Sequence, residues 1–238
     1  MKKIIGIVPG VIEGDMNQDC MSKYYKFGNT YTTKLAKLDC IPVGLTPADD
    51  YLSEEQLELC DGFLFMGGEK YYPYHFQVIH HAITRGKRSL GICLGEQVIY
   101  SYFETLRLAK EYGYEGDDLQ MVLDFRREHP KERSVVPKVE GHRFPFVGKG
   151  MEDTVKHDIH IVPGTILHRL LGRDTARIAS FHNLAVPADQ PYCTVNAWSA
   201  LGDGVVEGLE YGENILSIQG HPEIDDLMPE IFTFLVEN

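Results

Sequence analysis

Short apolar runs alternate with amphipathic segments along the first 111 residues of the chain. Each run ends near a glycine or a proline, which is typical of buried strands that helices connect. This alternation constrains the fold most, because strands joined by helices form a parallel sheet covered on both faces. The predicted strands are KKIIGIV (2–8), IPVGL (41–45), GFLFM (62–66) and RSLGI (88–92). The predicted helices cover residues 23–39, 53–60, 74–85 and 95–111.

The second half of the chain predicts a different organisation. Three segments joined by glycine turns predict a small antiparallel meander: 194–200, 204–212 and 214–220. Further strands are expected at 157–162 and 176–180, and helices near 165–171 and at 225–236. Residues 124–150 are rich in charge, proline and glycine, and predict a long irregular surface segment. With no repeat and no linker in the sequence, we predict one α/β domain over 1–238, with a mostly parallel central sheet.

The net charge disfavours several classes of partner, and the cysteine usage indicates the cellular compartment. The chain carries 23 basic and 35 acidic residues, a net charge of −12, which disfavours binding to nucleic acids or anionic lipids. We find no apolar stretch of the length that a membrane span or a signal peptide needs. The five cysteines show no paired spacing, which is typical of a reducing cytosol, so we expect a cytoplasmic protein.

The stretch GICLG places a thiol at the turn between a predicted strand and a predicted helix. Gly91 and Gly95 flank Cys93 at the spacing of a nucleophile elbow, where glycines let the strand and the helix approach closely. A cysteine at a helix N-terminus is favoured as the thiolate, and the N–H of Leu94 points at whatever the sulfur attacks. The pattern alone is equally consistent with a buried structural cysteine.

A nucleophilic cysteine needs a base and an orienting acid, and the stretch SIQGHPE offers both. His221 and Glu223 follow a predicted strand and lie two residues apart, so they face the same way in extended chain. The proline between them removes a competing donor. Gly67 and Gly68 follow another predicted strand and expose backbone N–H groups, which predicts the second donor of an oxyanion hole.

Together these pieces resemble the class I glutamine amidotransferase superfamily, and within it the peptidase C26 branch of γ-glutamyl hydrolases, including the γ-glutamyl-γ-aminobutyrate hydrolase type. GICLGEQ is similar to the family's nucleophile motif, and SIQGHPE to its His-Pro-Glu motif. The weaker matches are DGVVEGLE (203–210), GGEKYYPYHF (67–76) and HDIHIVPGTILHRLLG (157–172). The resemblance implies a flavodoxin-like three-layer fold.

The resemblance also implies a role for each matching residue. Cys93 would be the nucleophile, His221 the general base and acid, and Glu223 its orienting carboxylate. Gly68 and Leu94 would donate to the oxyanion. The residues expected at the substrate are Gly67, Gln97 and His182.

Several positions depart from the family pattern and bear on the substrate. Lys70 stands where the motif has an aspartate, and Leu184 where it has a glutamine. Glu96 replaces an apolar or aromatic residue, and Gly220 replaces a common tryptophan. These departures leave the proposed triad intact, but they change the surroundings of the pocket.

The predicted activity is hydrolysis of a γ-glutamyl amide, with a small γ-glutamyl compound as substrate. The alternatives are a glutaminase that passes ammonia to a partner synthetase, a thiol α/β-hydrolase and a binding module without activity. The α/β-hydrolase order, with the acid before the histidine, does not fit His221 and Glu223. We predict no cofactor and no metal, because His157 and His160 would face opposite sides of a strand. The sequence leaves a homo-oligomer open.

Overall fold

The computed structural model describes residues 1–13, 23–131, 136–143, 156–188 and 190–237. The strands are β1 (Lys3–Val8), β2 (Gly10–Glu13), β3 (Lys23–Lys26), β4 (Cys40–Gly44), β5 (Gly62–Phe65), β6 (Arg88–Ile92), β7 (Lys156–Ile161), β8 (Thr175–Ala179), β9 (Thr194–Ser199), β10 (Val206–Tyr211) and β11 (Ile215–Ile218). The helices are α1 (Asn29–Ala36), α2 (Glu54–Leu59), α3 (Pro73–Arg85), α4 (Leu94–Glu111), α5 (Asp118–Glu128) and α6 (Ile166–Leu171), followed by a 3-10 helix (Pro229–Leu235).

Nine of these strands form one sheet, in the order β4-β1-β5-β6-β11-β10-β9-β7-β8. The neighbours from β4 to β11 pair in parallel, and those from β11 to β8 pair antiparallel. The predicted α/β fold is therefore confirmed. The meander is continuous with the parallel part, because β11 pairs with β6 on one side and with β10 on the other.

Each face of the sheet buries its own hydrophobic core, and β5 shows how the sequence divides them. Phe63 and Phe65 pack on one face with side chains of α3 and α4. Leu64 and Met66 pack on the other face with α1, α6 and the 3-10 helix. Successive side chains of a strand point to opposite faces of the sheet. A continuous apolar run therefore supplies apolar side chains to both cores, as a strand covered on both sides requires.

Two helix predictions are corrected by the structure. The helix predicted over 23–39 begins only at Asn29, because residues 23–26 form β3 and pair with β2. The helix predicted over 225–236 is a 3-10 helix that starts at Pro229, whose missing N–H and restricted preceding residue prevent an earlier start.

The segment predicted to be irregular, 124–150, begins inside α5. The Asp117 side chain caps this helix by accepting from Gln120 N at 3.0 Å, and Met121, Val122 and Phe125 lie buried on one face. This helical spacing was present in the sequence and was missed. The parts at 132–135 and 144–155 lie outside the described residues, and the single domain over 1–238 stays a prediction.

Within the described ranges, no helix combines the length and the apolar character that a membrane crossing requires.

Candidate active site

Cys93 occupies the predicted sharp turn between β6 and α4. Its φ of 54° and ψ of −103° lie in a region that residues other than glycine rarely adopt. A Cβ on Gly91 would lie 2.8 Å from the Gly95 carbonyl carbon, and one on Gly95 would lie 2.6 Å from Phe65 O. Glycines on both sides are therefore required for the close approach of strand and helix, and they hold the thiol at the N-terminus of α4.

His221 and Glu223 leave the end of the adjacent parallel strand. Ile218 of β11 pairs with Ile92 of β6, and Ile218 O accepts a hydrogen bond from Cys93 N at 2.9 Å. His221 Nδ1 donates to Glu223 Oε1 at 2.7 Å. The register of two neighbouring strands thus brings together three residues from two distant parts of the sequence.

The imidazole of His221 lies against Cys93 above the Gly-Gly loop. A Cβ on Gly67 would lie 2.9 Å from His221 Cε1 and 3.5 Å from Cys93 Cβ, so the absence of a side chain there makes room for both groups. Burial lowers the pKa of His221, but the neighbouring Cys93 sulfur and the hydrogen bond to Glu223 raise the pKa well above its usual value. This arrangement favours the protonated form of His221 beside the Cys93 sulfur.

The loop after β5 lies beside the first residue of α4. Gly67 N donates to the Tyr31 hydroxyl oxygen at 2.9 Å, and a Cβ on Gly68 would lie 3.0 Å from Leu94 Cδ2. Leu94 is the first residue of α4, where backbone N–H groups have no partner within the helix. The structure therefore brings the two glycines, Leu94 and Cys93 to one place.

These residues line a cavity of about 450 Å³ that opens to solvent. The size is within the range of small-molecule pockets. The predicted site residues that line it are Gly67, Gly68, Cys93, Leu94, Gln97, His182 and His221.

Tyr31 is a site residue that the sequence analysis missed. It lies on α1, its side chain is buried, and its hydroxyl faces Glu223. Burial raises the pKa of Tyr31 most, and the negative charge of Glu223 raises it further, so the hydroxyl stays protonated. Tyr31 is the third residue of α1, and a buried aromatic residue at this position of a helix is equally expected from core packing.

Of the three residues expected at the substrate, Gln97 and His182 carry side chains, and these have different surroundings. Gln97 Nε2 donates to Gln219 Oε1 at 3.0 Å and to Leu184 O at 3.3 Å, which fixes the amide at the wall of the cavity. His182 borders the same cavity, but its Nδ1 donates to Leu184 O at 3.0 Å and its Nε2 lies 3.6 Å from Glu207 Oε1. Both ring nitrogens of His182 therefore face protein groups.

Among the family departures, Glu96 is fully buried rather than at the pocket. Ser217 Oγ donates to Glu96 Oε2 at 3.0 Å. Burial raises the pKa of Glu96 well above its usual value, and the hydrogen bond from Ser217 offsets only part of this shift. Glu69, which precedes Lys70, lines the cavity.

The sequence matches a family model and a curated relative. The Peptidase C26 family model matches residues 74–223. The chain is 30% identical over 168 residues to a Mycobacterium tuberculosis protein provisionally described as a glutamine amidotransferase; the match covers 69% of this chain and 44% of that protein. The chain thus spans less than half the length of this curated relative.

Solved structures share the fold at low sequence identity. The glutaminase domain of Trypanosoma brucei CTPS, with bound acivicin, has a TM-score of 0.64 at 15% identity, over 99% of this chain and 93% of that chain. A glutamine amidotransferase from Thermotoga maritima has a TM-score of 0.55 at 16% identity, over 94% of this chain and 77% of that chain. With the family model matched over more than half of its length, the chain belongs to the Peptidase C26 family.

Proposed function

We propose that the chain is a cysteine-dependent hydrolase of γ-glutamyl amide bonds that works through a γ-glutamyl thioester. The observation that carries the proposal is that Cys93 and His221 line one cavity, while the buried Glu223 accepts a hydrogen bond from His221 Nδ1 at 2.7 Å. Membership of the Peptidase C26 family supports the same chemistry.

In the first half-reaction, the Cys93 thiolate adds to the γ-carbonyl carbon of the substrate. The carbonyl oxygen takes the negative charge and accepts hydrogen bonds from the N–H groups of Gly68 and Leu94. Gly67 N–H already donates to Tyr31, which leaves Gly68 as the donor from this loop. When the intermediate collapses, the C–N bond breaks, and the departing amine takes its proton from Nε2 of the His221 imidazolium.

In the second half-reaction, water hydrolyses the thioester. His221, now neutral, accepts a proton from the water that attacks the thioester carbonyl. The C–S bond then breaks, glutamate leaves, and Cys93 returns to the thiolate beside the imidazolium. Glu223 stays ionised throughout and holds the ring of His221 in one orientation through the Nδ1 hydrogen bond.

Gln97 supports recognition of the glutamyl part. Both of its amide hydrogens have acceptors in Gln219 and Leu184, so Oε1 is the atom that can accept a hydrogen bond from the α-ammonium group of a substrate.

The mouth of the cavity favours a leaving amine that carries its own carboxylate. Lys26 and Arg143 line it with exposed side chains. Arg143 Cζ lies 4.9 Å from the centroid of the Phe181 ring. We expect Arg143→Gln to raise KM for γ-glutamyl-γ-aminobutyrate by about tenfold, as loss of a charge-assisted hydrogen bond predicts. KM for an uncharged γ-glutamyl alkylamide is the matched control and is expected to change little.

Trapping the thioester tests the chemistry directly. Wild-type protein mixed with a γ-glutamyl amide and quenched in acid is expected to gain the mass of one glutamyl group on the peptide that contains Cys93. Cys93→Ala is expected to lose both the adduct and the hydrolysis, whereas Cys193→Ser keeps both, because Cys193 lies outside the cavity lining. Normal hydrolysis by Cys93→Ala would contradict the proposal.

A glutaminase that serves a synthetase is the second candidate, favoured by the description of the mycobacterial relative. The same residues would act, with ammonia as the leaving group. A substrate panel separates the two: turnover of γ-glutamyl amines by the isolated chain supports the hydrolase. Glutamine turnover that appears only when a synthetase is added supports the alternative.

A further inference from the structure

Three histidines and a glutamate from four separate segments lie close together beside the active-site cavity, and one of them, His182, also lines it. They are His142 in the segment 136–143, His157 on β7, His182 after β8, and Glu207 on β10. All four are buried, and one ligand atom from each lies within 4.8 Å of the corresponding atom of every other.

Each of the three imidazole rings has one nitrogen directed toward the same carboxylate oxygen, Glu207 Oε1. Glu207 Oε1 lies 3.0 Å from His142 Nδ1, 3.2 Å from His157 Nε2 and 3.6 Å from His182 Nε2. None of these contacts has the alignment of a hydrogen bond. The three nitrogens and both Glu207 oxygens are buried without a hydrogen-bond partner among the described residues.

The opposite nitrogen of each ring is already bonded to an acceptor. His142 Nε2 donates to Asp203 Oδ2 at 2.8 Å, and His157 Nδ1 donates to Asp158 O at 2.9 Å. His182 Nδ1 donates to Leu184 O at 3.0 Å. A neutral imidazole carries one proton, so with the outer nitrogens protonated the inner ones present lone pairs. Metal-ligating histidines show this same outer bond to a carboxylate or a backbone carbonyl.

We propose that this cluster is a four-coordinate site for a divalent transition-metal ion, with zinc as the preferred occupant, held by His142 Nδ1, His157 Nε2, His182 Nε2 and a Glu207 oxygen. Zinc takes nitrogen and oxygen ligands at about 2.0–2.2 Å in a tetrahedron, whose edges are then about 3.3–3.6 Å long. The observed separations of 3.0, 3.2 and 3.6 Å from the Glu207 oxygen bracket that edge.

The donor set selects the kind of ion. Three imidazoles exclude magnesium and calcium, which prefer oxygen ligands, and favour zinc or a neighbouring transition metal. Four protein ligands leave no open position for water, which is typical of a structural rather than a catalytic zinc site.

The site would fasten one wall of the cavity to the sheet. His142 O accepts hydrogen bonds from His182 N at 3.1 Å and from Ser180 Oγ at 2.7 Å, so residues 136–143 run alongside 180–185. Arg143 and His182, which both line the cavity, are therefore next to or part of the proposed site. The ion would cross-link this two-stranded wall to β7 and β10.

A second cluster of possible metal ligands differs from this one, because its carboxylates are exposed and paired with cations. Glu54, Glu58 and His81 also lie within reach of one another, but both carboxylates are exposed. Arg85 pairs with both of them, and Lys87 pairs with Glu58. These carboxylates already have cationic partners, and we assign no ion to them.

Metal content tests the proposal without reference to activity. The 238-residue chain purified without a polyhistidine tag is expected to contain close to one equivalent of zinc per chain by inductively coupled plasma mass spectrometry. His157→Gln and Glu207→Gln are expected to lose it. His160→Gln, an exposed histidine on the same strand, is the matched control and keeps it.

Titration of wild-type protein keeps the test valid if those variants do not fold. Chelator-treated wild type is expected to regain at least about 5 °C in Tm on addition of zinc, because an ion that binds only the folded chain stabilises it. Cobalt(II) is expected to give the visible absorption of a tetrahedral site. Wild type that contains no metal, takes up none and shows no change in Tm would overturn the proposal and leave a metal-free cluster of histidines around Glu207. Equal uptake by folded His157→Gln would also overturn it.

Discussion

Tyr31 Oη accepts a hydrogen bond from Gly67 N–H at 2.9 Å while it faces the carboxylate of Glu223. One hydroxyl from α1 therefore contacts the Gly-Gly loop and lies next to Glu223, the hydrogen-bond partner of His221. Since Gly67 also makes room for the imidazole, we expect a change at Tyr31 to alter the loop and the position of His221 together.

We expect Tyr31→Phe to lower kcat for hydrolysis about tenfold, with a smaller effect on KM, because one hydrogen bond that positions the site is lost. Steady-state kinetics on one γ-glutamyl amide, together with the pH profile of kcat, is the measurement. Tyr51→Phe is the matched control, since Tyr51 is 46% exposed. If Tyr31→Phe changes only Tm and leaves kcat and the pH profile unaltered, the positioning role is wrong.

The reactivity of Cys93 is expected to depend on His221 in a pH-dependent way. The pKa of His221 is raised by Cys93 and Glu223 against the opposing effect of burial. A histidine with a raised pKa keeps its favourable pairing at low and neutral pH and loses it as the pH rises through the folded-state pKa.

Alkylation of Cys93 by iodoacetamide, followed by peptide mass spectrometry, measures this dependence. His221→Gln is expected to slow the reaction at least about tenfold near pH 7, and the difference is expected to shrink above about pH 9, where an unassisted thiol ionises. Cys193 in the same sample is the internal control, because burial raises its pKa to about 11 without a contribution from His221. Equal rates for wild type and variant at pH 7 would refute the ion pair.

Glu96 is expected to destabilise the fold at neutral pH. Its pKa is raised well above the usual value, mainly by burial, so the folded chain resists its ionisation. For an acid with a raised pKa, the cost is absent below the unfolded pKa and grows as the pH rises above it. Glu96→Gln is therefore expected to raise the free energy of unfolding at pH 7 by on the order of 1 kcal/mol and to change it little at pH 4.

Urea unfolding at the two pH values measures the effect of Glu96→Gln. Glu115→Gln, at an exposed position, is the control and is expected to change neither value. A loss of stability at pH 7 would mean that ionised Glu96 is used by the fold.

Gly95→Ala tests the strand-to-helix turn. The new Cβ would lie 2.6 Å from Phe65 O, a backbone atom that cannot rotate away. We expect a loss of about 1–3 kcal/mol in the free energy of unfolding, as overpacking predicts, together with loss of activity because Cys93 moves. Gly10→Ala is the control for the free energy of unfolding, since the atoms it would approach belong to the flexible Lys26 side chain. An active, fully stable Gly95→Ala would show that the turn tolerates a side chain.

The sequence predicted those parts of the site that lie in short motifs. Gly91, Cys93 and Gly95 fall within five residues and carry a turn geometry that few other residue types permit. His221 and Glu223 lie two residues apart after an apolar strand. In both cases the local pattern fixes the placement of the side chains.

The features that were missed depend on contacts between distant segments. Tyr31 reaches the site from α1 across the loop after β5, and nothing in its neighbours along the chain shows this. His157 and His160 face opposite sides of β7, as the sequence predicted, but no sequence pattern indicated that His157 meets His142, His182 and Glu207. Likewise, residues 23–26 form a strand because they pair with β2.

The pairing of Ile92 with Ile218 bears on how changes of sequence elsewhere in the chain affect the distance between Cys93 and His221. Thiol and imidazole each follow closely on one member of that pair, so their separation depends on a few residues at two adjoining strand ends. We therefore expect surface loops in the much longer stretch of sequence between them to vary in length with little effect on that separation.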